Sequence, residues 1–231
     1  CDNHGGINFM KEYILAPSLF SSKISRLEKT LETLEIEEIK WLHVDVMDGY
    51  FVPDMASGPS IVKELKEITD ILLDVHLMVE TPEKIVPAFL EAGADSITYH
   101  AEATNNGMHI IQMVKEQKKK IGVAINPATP VSLIAPILAE VDLVLVMTIN
   151  PGRPNRDFIP LTVNKIAELS QLRESNDYHY LIEVDGKIDN ETIKLCANAG
   201  TDMFVSGGYI FGEENKEVEM ITNLKTALAE V

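Results

Sequence analysis

The sequence predicts an α/β fold of the (β/α)8 barrel class, in a single domain. Three observations carry this. Short β-branched runs alternate with longer amphipathic runs along the 231 residues, which is βαβα periodicity. The strand candidates number eight, and no change of composition marks a linker. Eight even repeats in a chain of this length suit the barrel's usual size of about 250 residues. An open doubly wound sheet is the alternative architecture.

In chain order the expected strands are Ile14 to Ala16, Trp41 to Val46, Leu72 to Leu77, Ser96 to His100, Ile121 to Ile125, Leu143 to Met147, Tyr180 to Val184 and Met203 to Ser206. Each is short, rich in β-branched residues and bounded by polar or turn-forming ones. Helical patterns lie between them, among them Ser22 to Thr33, Pro82 to Ala92 and Pro160 to Glu174, with Glu217 to Glu230 closing the chain. Ser and Pro stand where helix starts favour them. Residues 1–12 are set aside as a flexible N-terminal segment or an expression remnant, which leaves 13–231 for the barrel.

Composition excludes several functions. Asp and Glu outnumber Lys and Arg by 36 to 20, a net charge of −16, so phosphate backbones are repelled and no basic stripe serves nucleic acid. No run of about 18 apolar residues offers a membrane span. Cys1 and Cys196 make no disulfide framework and have no metal-ligand spacing, which points to a reducing, cytoplasmic setting.

In a barrel the strand C-termini face the chemistry. There the chain places Ser18, Asp45 with Asp48, His76, His100 with Glu102, Asn126, Thr148, Asp185 with Gly186, and Ser206 with Gly207 and Gly208. In Trp41-Leu42-His43-Val44-Asp45-Val46, His43 and Asp45 are two apart and share a face, while Leu42, Val44 and Val46 take the other. Asp74-Val75-His76 repeats the pattern, and Glu183-Val184-Asp185 ends the seventh strand. Two imidazoles and two carboxylates converging at the barrel mouth suit Zn2+, Fe2+ or Mn2+ better than Mg2+ or Ca2+, which prefer oxygen shells. Taken singly, each histidine also reads as a hydrogen-bonded core residue and each aspartate as a helix cap. Taken together, one cation satisfies all four. His4, His109 and His179 read as surface or packing residues, and His100 and Glu102 as residues that support a ligand from behind.

These residues also carry a resemblance. Leu15-Ala16-Pro17-Ser18, His43-Val44-Asp45-Val46-Met47-Asp48-Gly49, Phe51-Val52-Pro53, Asp74-Val75-His76-Leu77-Met78, Asn126-Pro127, Asn150-Pro151-Gly152 and Glu183-Val184-Asp185-Gly186 together resemble the ribulose-phosphate 3-epimerase family, in its order, from about Ile14 to Phe211. The resemblance implies a barrel enzyme that inverts C3 of D-ribulose 5-phosphate to give D-xylulose 5-phosphate. It implies one divalent ion, Zn2+ or Fe2+ first, with Mn2+ or Co2+ as alternatives, and a homo-oligomer, dimer or hexamer. By position His43, Asp45, His76 and Asp185 match the family's metal ligands, and Asp45 and Asp185 its acid and base. Ser18, Met47, Met78 and Met147 match residues around the substrate, although the methionines read equally as core filling.

The reaction calls for this pair. A proton beside a ketone is weakly acidic, so a carboxylate removes it only if the enediolate is strongly stabilised, which a divalent ion does as a Lewis acid. Inversion then needs a second acid on the opposite face.

Two segments depart from the family pattern. Where the family continues Asn-Pro-Gly into a glycine-rich turn, this chain reads Gly152-Arg153-Pro154-Asn155-Arg156, stiffer and poorer in backbone donors. Arg153 and Arg156 read either as a charged grip on phosphate or as solvated loop residues. Lys187 stands where a second glycine follows Gly186, near Gly207 and Gly208, in the region where barrels seat a phosphate. An allulose 6-phosphate epimerase, or a paralogue that binds a sugar phosphate without turnover, are the alternatives these departures leave.

Overall fold

The structure, a computed structural model, describes residues 12–152 and 157–231. The strands are β1 (Ile14–Pro17), β2 (Trp41–Asp48), β3 (Met55–Ala56), β4 (Leu72–Met78), β5 (Ser96–His100), β6 (Lys120–Ile125), β7 (Leu143–Met147), β8 (Leu181–Asp185) and β9 (Met203–Ser206). The helices are α1 (Leu27–Ile36), α2 (Pro59–Ile68), α3 (Pro82–Ala92), α4 (Gly107–Glu116), α5 (Thr162–Asn176), α6 (Thr192–Ala199), α7 (Gly208–Phe211) and α8 (Glu217–Ala229). No helix among them is long and apolar enough to cross a membrane.

The sheet runs β1-β9-β8-β7-β6-β5-β4-β2-β3, parallel except for β3. A parallel bridge from Ser18 to His43 brings the β1 edge back to β2 and closes the barrel. This is the (β/α)8 class, and the eight expected strands lie within two residues of β1, β2 and β4 to β9.

Alternation along each strand builds two apolar layers. Outward residues such as Leu42, Val44, Val75, Ile97, Val144 and Val184 are buried against the inner faces of the helices, with Leu34, Val62, Phe89, Ile110, Ile166 and Leu224. Inward residues of the opposite wall, Ala16, Ala124, Leu143, Leu145, Met147, Met203 and Val205, fill the barrel itself. On β2, β4, β5 and β8 the inward positions carry His43, Asp45, Asp74, His76, Thr98, His100 and Glu183, all at most 5% exposed, with Asp185 at the mouth. The barrel thus has one oily wall and one ionisable wall.

Three local differences from the expected pattern have physical causes. The helix expected over Ser22 to Thr33 begins only at Leu27, after two single 3-10 turns, Leu19–Ser21 and Ile24–Arg26. Ser22 spends its hydroxyl on the carbonyl of Leu19, 2.8 Å away, closing the preceding turn instead of capping a helix. Between β6 and β7 the chain forms 3-10 turns, Val131–Leu133 and Ala135–Glu140, where the repeat calls for an α-helix. Pro127, Pro130 and Pro136 remove donors there and block the i→i−4 pattern. The two-residue β3 folds back antiparallel on Met47 and Asp48, too short to leave a periodic signal.

Candidate active site

Strand register assembles the site. Along the β2/β4 ladder His43 faces Asp74 and Asp45 faces His76, so each imidazole has a carboxylate beside it. β8 brings Asp185 toward the same point. His43 Nε2 lies 3.3 Å from Asp45 Oδ1 and 3.3 Å from His76 Nδ1, and His76 Nδ1 lies 3.1 Å from Asp45 Oδ1. Asp185 Oδ2 is 3.9 Å from each of the two ring nitrogens. All four donor atoms fall within 4.8 Å of one another.

This set fits a divalent cation. Donors about 2.1 Å from one tetrahedral ion are separated by about 3.4 Å, and the distances above bracket that value. Two imidazoles and two carboxylates are the donor chemistry of Zn2+, Fe2+, Mn2+ or Co2+.

The electrostatics point the same way. Burial works to raise the Asp45 carboxyl, but His43 and His76 outweigh it and hold Asp45 far below the usual carboxylate range. Burial, and then the charges of Asp45 and Asp74, push Asp185 up to about 7, with His43 pulling the other way. Burial lowers His76 to about 4 against the bond to Asp45, and His100 and His43 lower it further. His43 is opposed by burial yet raised well above its ordinary value by Asp45, Asp74 and Glu183. A divalent ion at the centre would compensate these buried carboxylates together.

Around this centre the next contacts are also ordered. The Ser18 hydroxyl donates to Asp45 Oδ2 at 2.6 Å. With Nδ1 of His76 turned to the cluster, its Nε2–H is left to donate to His100 Nε2 at 2.8 Å. His100 Nδ1–H in turn donates to Glu102 Oε2 at 3.2 Å. Glu102 also accepts the Asn126 N–H at 2.7 Å and the Thr129 hydroxyl. Although burial opposes it, these donors hold Glu102 at about 2. Lys165 of α5, 9% exposed, ties down the same turn through the carbonyls of Asn126, at 2.8 Å, and Thr129.

Above the cluster lies a cavity of about 450 Å3. Its lining includes Ser18, Asp45, Met47, Met78, Met147, Gly152, Asp185, Gly186, Lys187, Gly207 and Gly208. The described residues expected around a substrate therefore meet in one place, with His43 and His76 buried beneath. Gly186 has φ +124°, and a Cβ there would lie 2.5 Å from Ile149; Gly152 has φ +80° and would collide with Val52. Lys187 is exposed and itself adopts φ 55°. Arg153 and Arg156, like His4, lie outside the described residues. His109 falls on α4 and His179 just before β8, away from the cavity.

Two buried carboxylates had no role in the sequence reading. Asp74 Oδ2 accepts from His43 Nδ1 at 2.7 Å, and Glu183 Oε1 stands 3.7 Å from the same nitrogen. Their signal was present: each stands two residues before a member of the donor cluster, Asp74 before His76 and Glu183 before Asp185, hence on the same inward face. Phe51, which packs on the His100 ring at 4.8 Å between centroids, and Tyr209, which also lines the cavity, were not foreseen; neither follows from strand alternation.

A profile of the ribulose-phosphate 3 epimerase family matches residues 14–211. A ribulose-phosphate 3-epimerase of Bacillus subtilis (strain 168) is 41% identical over 204 residues, 88% of this chain and 94% of the relative. The chain belongs to the ribulose-phosphate 3-epimerase family. A second ribulose-phosphate 3-epimerase, of Treponema pallidum (strain Nichols), is 40% identical across 87% of this chain and 92% of its own. Membership makes the chain a carbohydrate isomerase. Among solved structures, 3-keto-L-gulonate-6-phosphate decarboxylase from Vibrio cholerae superposes with a TM-score of 0.69 at 15% identity, over 95% of this chain and 98% of that one, a likeness of fold.

Proposed function

We propose that this member of the family epimerises D-ribulose 5-phosphate and D-xylulose 5-phosphate at C3, with one divalent metal ion held by His43, Asp45, His76 and Asp185. One observation carries the reading: the carboxylates of Asp45 from β2 and Asp185 from β8 converge on the buried His43 and His76, with one donor atom of each residue within 4.8 Å of the others. That is the arrangement that inversion requires, two acid/base groups at one reacting centre, one to take the proton and one to return it.

In this mechanism Asp45 takes the C3 proton. Ser18 donates to Asp45 Oδ2, the oxygen not turned to the histidine pair, and so fixes the orientation of the carboxylate. Asp185 delivers a proton to the opposite face, and the two exchange roles in the reverse direction. When bound, the metal ion supplies Lewis-acid stabilisation of the negative charge left on the substrate. Met47, Met78 and Met147 cover the reacting region with side chains that neither donate nor accept a proton at ordinary pH, and they exclude water. Gly186, Lys187, Gly207 and Gly208 take the phosphate, at the end of the cavity where loops after the last strands and the short α7 lie. The donor set suits Zn2+ or Fe2+ first, then Mn2+ or Co2+. The working enzyme is a cytoplasmic homo-oligomer, dimer or hexamer, as the family resemblance implies.

A longer substrate, such as allulose 6-phosphate, is the second reading. Lys187, in place of a glycine and at positive φ, favours it, because it changes the phosphate end and leaves the proton chemistry alone. The deciding experiment offers metal-reconstituted protein a panel of pentulose and hexulose phosphates, with products identified by 13C NMR. Conversion of ribulose 5-phosphate ahead of the hexuloses supports the first reading. Conversion of none sinks both.

A further inference from the structure

Asp74 and Glu183 are wholly buried, 0% exposed each, inside the barrel and below the four donors. Such burial of carboxylates is expensive unless each is compensated. The apolar solution is visible next door, since Leu145 is the register neighbour of Glu183 on β7. Among the described residues, Asp74 Oδ1 and both oxygens of Glu183 have no hydrogen-bond partner at normal length. What the two carboxylates do share is His43, whose ring nitrogen lies with their oxygens inside 4.8 Å.

Two occupants suit an imidazole between two acids: a second cation, or the imidazole's own N–H. Distance decides. Donors of the upper cluster stand 3.1 to 3.9 Å apart, whereas His43 Nδ1 and Asp74 Oδ2 are 2.7 Å apart, too close for two ligands of one tetrahedral ion and right for a charge-assisted hydrogen bond. The two nitrogens of His43 divide the work, with Nε2 looking up into the donor cluster and Nδ1 looking down to Asp74.

We propose that Asp74 and Glu183 are positioning residues of the metal site, with Asp74 accepting the Nδ1–H of His43 at 2.7 Å and Glu183 facing the same nitrogen at 3.7 Å from the same barrel layer. The bond locks the ring's rotation and pins its proton on Nδ1, so the Nε2 lone pair faces the cation. His76 has a different support, through His100, so the two histidine ligands are held independently. This rests on the metal reading above.

The experiment measures Zn2+ affinity by competition with a chromophoric chelator, in wild type, Asp74→Asn, Glu183→Gln and the double variant. An asparagine can turn its amide N–H toward Nδ1 and drive the proton onto Nε2, the wrong tautomer for a ligand. Asp74→Asn is expected to weaken Zn2+ binding about a hundredfold and Glu183→Gln about tenfold, within the range for lost ligand support. The double variant should be no weaker than Asp74→Asn alone, because both carboxylates act through the one Nδ1–H of His43. A second readout separates orientation from mere structure: 15N-edited NMR of the Zn2+-loaded wild type should show the His43 Nδ1 proton far downfield and slow to exchange, as a charge-assisted bond to Asp74 requires and ligation alone does not. Should Asp74→Asn fail to fold, this spectrum still decides. A loss in Asp74→Asn of less than about tenfold, or a His43 Nδ1 proton at an ordinary shift and in fast exchange with water, overturns the inference while leaving the metal site standing. Wild type that binds no Zn2+ overturns the metal reading itself, and the inference with it.

Discussion

Asp45 and Asp185 come from β2 and β8, with β1 and β9 between them around the barrel, yet their carboxylate oxygens lie within 4.8 Å of each other. One is held far below the usual carboxylate range and the other is raised to about 7. Two acids this close do not ionise together without a cation, and two acids at one reacting centre are what a proton-in, proton-out reaction uses.

Asp45→Asn and Asp185→Asn should each lower turnover at least about a hundredfold, the low end of what a positioned acid or base contributes. Both residues also belong to the donor set, so metal content is measured beside the rate. Turnover near wild type in either variant, at full metal occupancy, removes the two-carboxylate mechanism.

Elemental analysis of protein grown with trace metals should find about one divalent ion per chain. Saturating Zn2+, at about a thousand times its Kd, stabilises the folded chain by about 4 kcal/mol, which for a chain of this length raises Tm by about 8 to 16 °C. His76→Ala should abolish that rise while keeping a cooperative melt. An equal rise in His76→Ala would place the ion elsewhere.

Much of this site was legible because strands have a period of two. His43 with Asp45, and Asp185 at a strand end, could be put on the inward face by counting alone, and the apolar residues between them fell on the helix side as counted. The same count contained Asp74 and Glu183, but alternation says only that a side chain points inward, not which atom it meets. That His100 reaches His76 depends on the stagger of β4 against β5, which no single strand encodes. The missing helix after β6 was written in three prolines, and β3 left no trace at all.

Acid should expose the role of Glu102. Its carboxyl sits at about 2 against an ordinary 4.5, so it is a depressed group: the stability it contributes is present above about pH 4.5 and is lost as pH falls toward 2. Metal-free Glu102→Gln should therefore show an unfolding free energy whose slope over that window is flatter by about one proton than wild type. Identical slopes in denaturant titrations at pH 5, 4 and 3 would mean that the bonds from His100, Asn126 and Thr129 do not favour the ionised form.

At the phosphate end, Arg153→Ala or Arg156→Ala should raise KM about ten- to a hundredfold with kcat nearly unchanged, as loss of one charged hydrogen bond to ground and transition states alike predicts. The substrate dianion needs a local cation on a chain of net charge −16. If the double variant leaves KM unchanged, recognition rests on Gly186, Lys187, Gly207 and Gly208.

The most direct test of the central claim is the fate of the C3 hydrogen. Metal-loaded enzyme is incubated with D-ribulose 5-phosphate in D2O, and the xylulose 5-phosphate formed is read by NMR and mass spectrometry. Removal by Asp45 and return by Asp185 predicts one deuterium at C3 of the product, incorporated during turnover. Product that keeps its original C3 hydrogen, or no exchange at C3 in any pentulose or hexulose phosphate, would contradict the account.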